Sequence, residues 1–303
     1  MKPFIVPGSG GRHLVEGIAG ILGVRARPLA VETFPDGELR PRVGALHGGD
    51  VYLVAPTCPP VNERLVELLL LLDACRRAGA DRVTAVVPYL GYARQDRRAV
   101  AGEALGARAV IDALRATGAQ RLVVLDPHSR AVEAMSAVPV ETLTAVPLLA
   151  AALAGSPEDT VVVAPDLGAV KSAERLGELL RHPVAVVRKT RTSGSSVRAL
   201  DLVGEVRDRR AVIVDDMIST GATIAAAAEL LVAAGARPEV TVAATHGPLT
   251  ADAIPVLRSA GVRRLLVTDS VPAVAEHPSW VEVRSVVPLL ADAIHLLHRN
   301  TSV

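Results

Sequence analysis

Short runs of β-branched and aliphatic residues recur along the chain at Val51 to Ala55, Arg82 to Val87, Arg121 to Leu125, Thr160 to Ala164, Val184 to Val187, Ala211 to Val214, Val240 to Ala244 and Arg263 to Val267. Apolar runs this short and this continuous predict strands buried on both faces. Between them lie Ala/Leu-rich stretches of helical character, Asn62 to Ala78, Gly102 to Thr117, Ala169 to Leu180 and Thr223 to Ala234, with Gly79, Gly118 and Gly235 placed where helices end. Strand and helix in alternation predict an α/β fold of mostly parallel sheets flanked by helices.

One phrase appears three times at a helix-to-strand join: Arg77-Ala-Gly-Ala-Asp-Arg-Val83, Ala116-Thr-Gly-Ala-Gln-Arg-Leu122 and Ala234-Gly-Ala-Arg-Pro-Glu-Val240. A glycine that ends a helix explains it locally. Because it spans both halves, it also suggests two similar α/β domains, 1–140 and 141–286, divided near Val138 to Thr144 where Pro139 interrupts the pattern. The 303 residues suffice for two such cores, since 50% are hydrophobic.

Charge narrows the partners. Lys plus Arg number 33 against 32 Asp plus Glu, a formal net charge of +1, so nothing global attracts the chain to nucleic acid or anionic lipid. With one Trp, three Tyr and two Phe, stacking platforms for exposed bases are nearly absent. Cys58 and Cys75 are too few for a disulfide framework or a tetrahedral cysteine metal site, which points to a reducing compartment. The first ten residues lack the apolar core of a signal peptide and no uncharged stretch reads as a membrane-spanning helix, so a soluble cytoplasmic protein is expected.

The sharpest segment runs from Val212 to Thr223, VIVDDMISTGAT, a strand ending in paired acids, then a small-residue loop, then a helix. Ser219, Thr220, Gly221, Ala222 and Thr223 can turn backbone N–H groups and hydroxyls toward one phosphate at a helix N-terminus, where the dipole favours an anion. Asp215 and Asp216, at a strand's carboxyl end, can accept hydrogen bonds from sugar hydroxyls or hold a metal. A capped helix with solvated acids is the plainer alternative, but two adjacent acids after an apolar strand are costly unless something pairs with them. The segment resembles the phosphoribosyltransferase fingerprint, which identifies a sugar-phosphate site rather than a reaction.

The first half carries neither G-x-x-x-x-G-K-[ST] nor, at Pro7 to Gly11, a G-x-G-x-x-G dinucleotide pattern. Three other segments stand out. Phe34-Pro-Asp-Gly-Glu38 is a turn that either simply connects or presents Phe34 to a base. Arg94, Gln95 and Arg97 suit a polyphosphate, although a solvated helix start has the same composition. His128, in Asp126-Pro-His128, follows a strand and could bind a cation or a phosphate, or serve the fold alone.

In order and spacing these segments resemble the ribose-phosphate diphosphokinase (phosphoribosyl diphosphate synthetase) family. The likeness runs through Phe34 to Glu38, Pro56-Thr-Cys58 with Asn62 and Glu67, Tyr89 to Arg97, Asp126 to His128, Ala164-Pro-Asp166, Lys189-Thr-Arg191, Val212 to Thr223 and Thr245-His-Gly247. It implies two tandem phosphoribosyltransferase-like domains, with a C-terminal helix over Val287 to Arg299, within 287–303, packing back on the first. It also implies transfer of the β,γ-diphosphoryl group of ATP to the anomeric hydroxyl of ribose 5-phosphate, with Mg2+, in nucleotide biosynthesis. Carried over by position, Phe34, Asp36 and Glu38 would recognise adenine from a neighbouring subunit of a homo-oligomer, while Arg94, Gln95 and His128 handle the triphosphate. His128 and Asp166 would assist Mg2+. Asp215 and Asp216 would hold the ribose hydroxyls, and Ser219 to Thr223 the 5-phosphate.

Composition singles out one more residue. The chain has 30 Arg but three Lys, at Lys2, Lys171 and Lys189, so a retained Lys is a candidate for a task that needs a compact, mobile ammonium. Lys189 follows the strand Val184 to Val187 and, with Arg191, precedes Thr192-Ser-Gly-Ser-Ser196, a segment suited to a lid hinge. A chance surface lysine is the bland reading. The resemblance makes Lys189 and Arg191 the catalytic cations that close over the reacting phosphates.

At Ser219, Gly221-Ala222, Pro127 and Lys189-Thr-Arg191 the pattern looks more like the archaeal type, which leaves control by phosphate or ADP open, as well as dimer, tetramer or hexamer. Two competing readings are a phosphoribosyltransferase that consumes the activated sugar and a non-catalytic regulatory homologue. The first leaves the first-half motifs idle. The second leaves no reason to keep Lys189, Arg191, His128 and Asp166 together.

Overall fold

A strand covered by helices on both faces must be largely apolar, and the short runs are so, with a few buried threonines such as Thr84 and Thr160, in the computed structural model, which describes residues 3–191, 198–273 and 276–300. The chain divides into two units, Met1–Thr144 with Ser270–Pro272 and Ser285–Val303, and Ala145–Asp269 with Ala273–Arg284.

In the first unit the elements follow as β1 (Phe4–Pro7), α1 (Arg12–Leu22), β2 (Leu29–Thr33), β3 (Leu39–Val43), β4 (Asp50–Val54), α2 (Val61–Arg77), β5 (Arg82–Val87), α3 (Gly106–Thr117), β6 (Arg121–Leu125), α4 (Ala131–Met135) and β7 (Val140–Leu143). The sheet is parallel throughout, in the order β1-β4-β5-β6-β7. Alternation along the strands divides the side chains: Val51, Leu53, Ala85 and Val87 pack with Leu68, Leu71 and Leu72 of α2 and Ile111 and Leu114 of α3. The antiparallel β2–β3 hairpin lies beside α2 and turns at Phe34 to Glu38.

The second unit continues with α5 (Val146–Leu153), β8 (Thr160–Ala164), α6 (Val170–Leu180), β9 (Val184–Arg191), β10 (Arg198–Val203), β11 (Arg210–Met217), α7 (Ala222–Ala233), β12 (Val240–His246), α8 (Ala253–Ser259), β13 (Val262–Thr268) and β14 (Val281–Arg284). Its sheet runs β10-β9-β8-β11-β12-β13-β14, parallel except for the β9–β10 pair. Val161, Val163, Ile213, Val242 and Ala244 face α7 and α8, while Val162, Ala164, Val212, Val214 and Ala243 face α5 and α6. This alternation within unbroken apolar strings is why each strand carries two cores at once.

The final helix, α9 (Val287–His298), belongs to the first unit and packs on α1. It is anchored by one polar cluster at the amino-terminal ends of β4 and β5. Asp50 accepts two hydrogen bonds from Arg82, at 2.8 and 2.7 Å, and lies 2.6 Å from Nδ1 of His298. The Tyr52 hydroxyl adds a hydrogen bond to Asp50 at 3.2 Å, and its ring meets the imidazole edge-on. Burial pushes the Asp50 carboxyl up, but the bonds and charges of Arg82 and His298 outweigh it and leave the group below the usual carboxylate range.

Two expectations change. The strand expected to end at Val187 runs on to Arg191, because Arg188 to Arg191 pair with β10 and Arg188 meets Asp201 across the strands at 2.6 Å. Lys189 and Arg191 therefore sit on the backbone of a strand rather than after it. Arg94, Gln95 and Arg97 start no helix, since α3 begins at Gly106. The hinge expected over Thr192 to Ser196 lies outside the described residues. None of the described helices is long and apolar enough to cross a membrane.

Replacing Asp50 by Asn leaves Arg82 and His298 without their shared anion. Because Arg82 keeps some solvent, the expected loss is about 2 to 3 kcal/mol at pH 7, read by urea unfolding. With the native carboxyl held below its ordinary value, this contribution is complete above the ordinary carboxylate range and fades as pH falls through the lowered native value. The gap between wild type and Asp50→Asn should therefore close in acid.

Candidate active site

The second sheet reverses its winding between β8 and β11: β9 lies on one side of β8, while β11, β12, β13 and β14 follow in turn on the other. Ligands of open parallel sheets bind at such a switch point, beyond the carboxyl ends of the strands. Here β8 ends at Ala164, followed by Pro165-Asp166, and β11 ends in Asp215-Asp216-Met217. The structure thus brings three of the expected carboxylates together at neighbouring strand ends. Burial pushes Asp215 up to about 8, helped by the adjacent Asp216 carboxylate and, more weakly, by Asp166. One Asp215 oxygen also accepts the Asp216 N–H at 2.9 Å, and Asp166 accepts the Gly168 N–H at 2.9 Å.

The loop after β11 leads directly into α7. Gly221 stands at the N-cap with φ +78°, and a Cβ there would lie 3.0 Å from Leu257 Cγ of α8, so both backbone conformation and packing require glycine. No side chain caps α7, and Thr220, Ala222 and Thr223 are exposed. The loop is braced from behind. Ile218 N–H donates to the His246 carbonyl at 2.9 Å, and the Ser219 carbonyl accepts the Thr250 N–H at 3.0 Å and its hydroxyl at 3.4 Å. At the helix start the Thr220 hydroxyl accepts the Ala222 N–H at 3.4 Å, a long bond that an anion could replace. Thr250 and Leu257 escaped the sequence reading because nothing in their spacing marks them as supports.

The remaining candidates fall in the first unit at two places. Phe34, Asp36 and Glu38 share the tip of the β2–β3 hairpin. There Phe34 N–H donates to the Glu38 carbonyl at 2.8 Å, and Asp36 accepts the Glu38 N–H at 3.2 Å. The Arg40 guanidinium lies 5.1 Å from the centre of the Phe34 ring and donates to Glu32 through Nε at 3.1 Å, a neighbour that sequence alone did not suggest. Arg94 and Gln95 are exposed in the segment after β5, and His128 is exposed after the adjacent β6. The Asp126 backbone has φ +34°, rare for a residue with a side chain, where β6 gives way to Pro127 and His128. The side chains of Lys189 and Arg191 lie outside what the structure describes.

The family described as "N-terminal domain of ribose phosphate pyrophosphokinase" matches residues 4–118, and "Phosphoribosyl synthetase-associated domain" matches residues 192–303. The ribose-phosphate pyrophosphokinase of Caldanaerobacter subterraneus subsp. tengcongensis is 38% identical, over 99% of this chain and 96% of its own length. That of Aquifex aeolicus is 37% identical over 99% and 97%. The crystal structure of phosphoribosylpyrophosphate synthetase from Mycobacterium smegmatis superposes with a TM-score of 0.92 at 33% identity, covering 99% of this chain and 100% of that one.

The raised Asp215 sets a pH dependence of stability. From the ordinary carboxylate range up to about 8, the native state holds a proton that the unfolded state has released, so stability falls as pH rises across that window. Asp215→Asn removes the penalty. Calorimetry should show a Tm higher by a few degrees at pH 8.5, on the order expected for ~1 kcal/mol, and a smaller difference at pH 5.

Proposed function

The chain belongs to the ribose-phosphate pyrophosphokinase family, and from that footing we propose that it transfers the diphosphoryl group of ATP to the anomeric hydroxyl of D-ribose 5-phosphate, giving 5-phospho-α-D-ribose 1-diphosphate and AMP. The observation that carries the reading is the pairing, at one strand end, of a carboxylate pair with an uncapped helix start: a ribose phosphate needs acceptors for its hydroxyls and N–H donors for its phosphate a few ångströms apart. Asp215 and Asp216 would accept from the ribose hydroxyls, and Ser219, Thr220, Gly221, Ala222 and Thr223 would cradle the 5-phosphate. The raised Asp215 supports this assignment, because a carboxyl that repels its neighbour gains most from hydroxyl donors or a cation.

ATP is assigned to the first unit. Phe34 offers a ring for adenine, with Asp36 and Glu38 beside it as polar partners, and the hairpin tip on which they stand suits a site completed by another subunit of a homo-oligomer. Arg94, Gln95 and His128 would bind the triphosphate. In the reaction the anomeric oxygen attacks the β-phosphorus, the bond from that phosphorus to the α,β-bridging oxygen breaks, and AMP leaves. Such transfer depends on alignment and on cations beside the phosphoryl oxygens, the role proposed for Lys189 and Arg191.

Mg2+ suits the donors present. Among the described residues no three His, Cys, Asp or Glu side chains converge as a preformed metal site. A hard cation that retains its waters and rides on substrate phosphates needs only one protein ligand, and His128 in the first unit and Asp166 in the second are each proposed to assist Mg2+ in this way. Bound there, the cation would neutralise charge on the polyphosphate. A cytoplasmic setting accords with Cys58 and Cys75, both buried free thiols.

The test is AMP formation from ATP, with and without ribose 5-phosphate, at varied Mg2+ and with no nucleobase present. AMP should require both the sugar phosphate and the metal. Lys189→Ala should lower kcat by ~10³-fold or more while ribose 5-phosphate still binds by calorimetry. A near-normal kcat would remove Lys189 from the reaction.

A further inference from the structure

We propose that Thr57 and Asn62 are positioning residues for the triphosphate-binding segment, holding the strained turn from which Arg94 and Gln95 project. The inference rests on the reading that these two residues bind ATP. Between β5 and α3 the chain runs through 88–105 without a helix or strand, so the placement of Arg94 and Gln95 comes from individual hydrogen bonds, one from the Ala107 N–H to the Gln95 carbonyl at 3.2 Å and the rest at the stem.

Thr57 supplies them. It is 1% exposed, in the loop between β4 and α2, and its backbone N–H donates to the Tyr89 carbonyl at 2.8 Å. Its hydroxyl donates to the same carbonyl at 3.0 Å and accepts the Gly91 N–H at 2.7 Å. One buried hydroxyl thus works in both directions, closing the two ends of the turn over Tyr89 to Gly91. The fit is tight: a Cβ on Gly91 would lie 2.8 Å from Val61 Cγ1 and 2.9 Å from the Thr57 carbonyl oxygen.

The next residue breaks a local rule. Tyr92 has φ +64°, a left-handed conformation unfavourable for a bulky aromatic residue. Such strain persists only where surrounding contacts impose it, and it concentrates at functional sites. The Tyr92 hydroxyl donates to Oδ1 of Asn62, in the first turn of α2, and the Tyr92 carbonyl accepts the Gln95 N–H at 2.9 Å. Strand end, strained tyrosine and the Arg94–Gln95 pair therefore form one hydrogen-bonded unit clamped to the start of α2. Three bonds of Thr57 hold its base, and one of Asn62 holds its apex.

Steady-state kinetics on the full chain tests the clamp. Thr57→Val keeps the shape, removes the hydroxyl and strands the Gly91 N–H, and it should raise KM for ATP by ~10-fold while KM for ribose 5-phosphate changes less than ~2-fold. Thr57→Ser should restore the wild-type value. Asn62→Ala and Tyr92→Phe, both changes at a partly solvated bond, should each raise KM for ATP by ~3-fold without lowering Tm, and they carry the test should Thr57→Val fail to fold. On an Arg94→Ala background, Thr57→Val should cost less than ~2-fold more, since a positioning residue acts through the group it positions. An unchanged KM for ATP in all three variants, equal rises for both substrates, or full additivity with Arg94→Ala would overturn the inference. A wild-type protein that forms no AMP from ATP and ribose 5-phosphate would instead overturn the reading beneath it.

Discussion

A parallel strand with helices on both faces has no place for a charge along its buried length, and the placement of chemistry in this protein follows from that constraint. β8 is buried from Thr160 to Ala164, and β11 from Ala211 to Val214. The first places where the chain can afford a charge are the next residues, Asp166 in one case and Asp215 and Asp216 in the other. Because β8 and β11 are neighbours, those charges arrive side by side. The switch point concentrates acids as a consequence of topology, and burial beside them is what holds the Asp215 carboxyl above the usual carboxylate range.

The two units apply one topology to two ends. In each, parallel strands follow one another on one side of the first strand, β1-β4-β5-β6-β7 and β8-β11-β12-β13-β14, and the strand-to-helix loops β4–α2 and β11–α7 occupy corresponding places. The loop before α7 offers N–H groups and hydroxyls to an anion. Its counterpart before α2 reads Ala55-Pro-Thr-Cys-Pro-Pro60, where three prolines have no N–H to give and the Thr57 hydroxyl is spent on Tyr89 and Gly91. The first loop is a brace for the segment after β5, and in the proposed reading the polyphosphate falls to Arg94 and Gln95 on that segment. The repeated phrase at Arg77 to Val83 and Ala234 to Val240 marks the same duplication, since each joins the helix after such a loop to the next strand.

Legibility in the sequence followed burial. Arg82 to Val87, Arg121 to Leu125 and Thr160 to Ala164 are strands with the bounds read from their apolar runs, and Val287 to His298 is the helix expected there. β2 and β3 carried no such signal. The hairpin has one face beside α2 and one open to solvent, and its strands include Pro41, Arg40 and Arg42. β9 seemed to stop at Val187 because Arg188, Lys189 and Arg191 look like a loop, yet beyond that point its pairing is with β10 and the charges are tolerated. The candidate phosphate loop was legible since its residues, Ser219 to Thr223, are adjacent in sequence. The supports at His246, Thr250 and Thr57 were not, since each acts on a carbonyl or amide far along the chain and leaves no periodic trace.

The strained and charged residues share one further property: each is held by atoms that play no part in binding. Asp215 is destabilised by its neighbours, and the loop beyond it is fixed by the Ser219 carbonyl bonded to Thr250 and by Gly221 packed on Leu257. Tyr92 is held in a left-handed conformation by the bonds of Thr57, Gly91 and Asn62. A flexible loop could relax either conflict, with the acids drifting apart and the tyrosine returning to an ordinary conformation. The bracing opposes that relaxation, so the cost stays in the free protein, and in the proposed reading a bound ligand would relieve it by supplying the missing partners. The apolar helices α2, α7 and α8 therefore do more than close the core: by fixing the starts of these loops they keep the binding groups apart from the partners that would otherwise satisfy them.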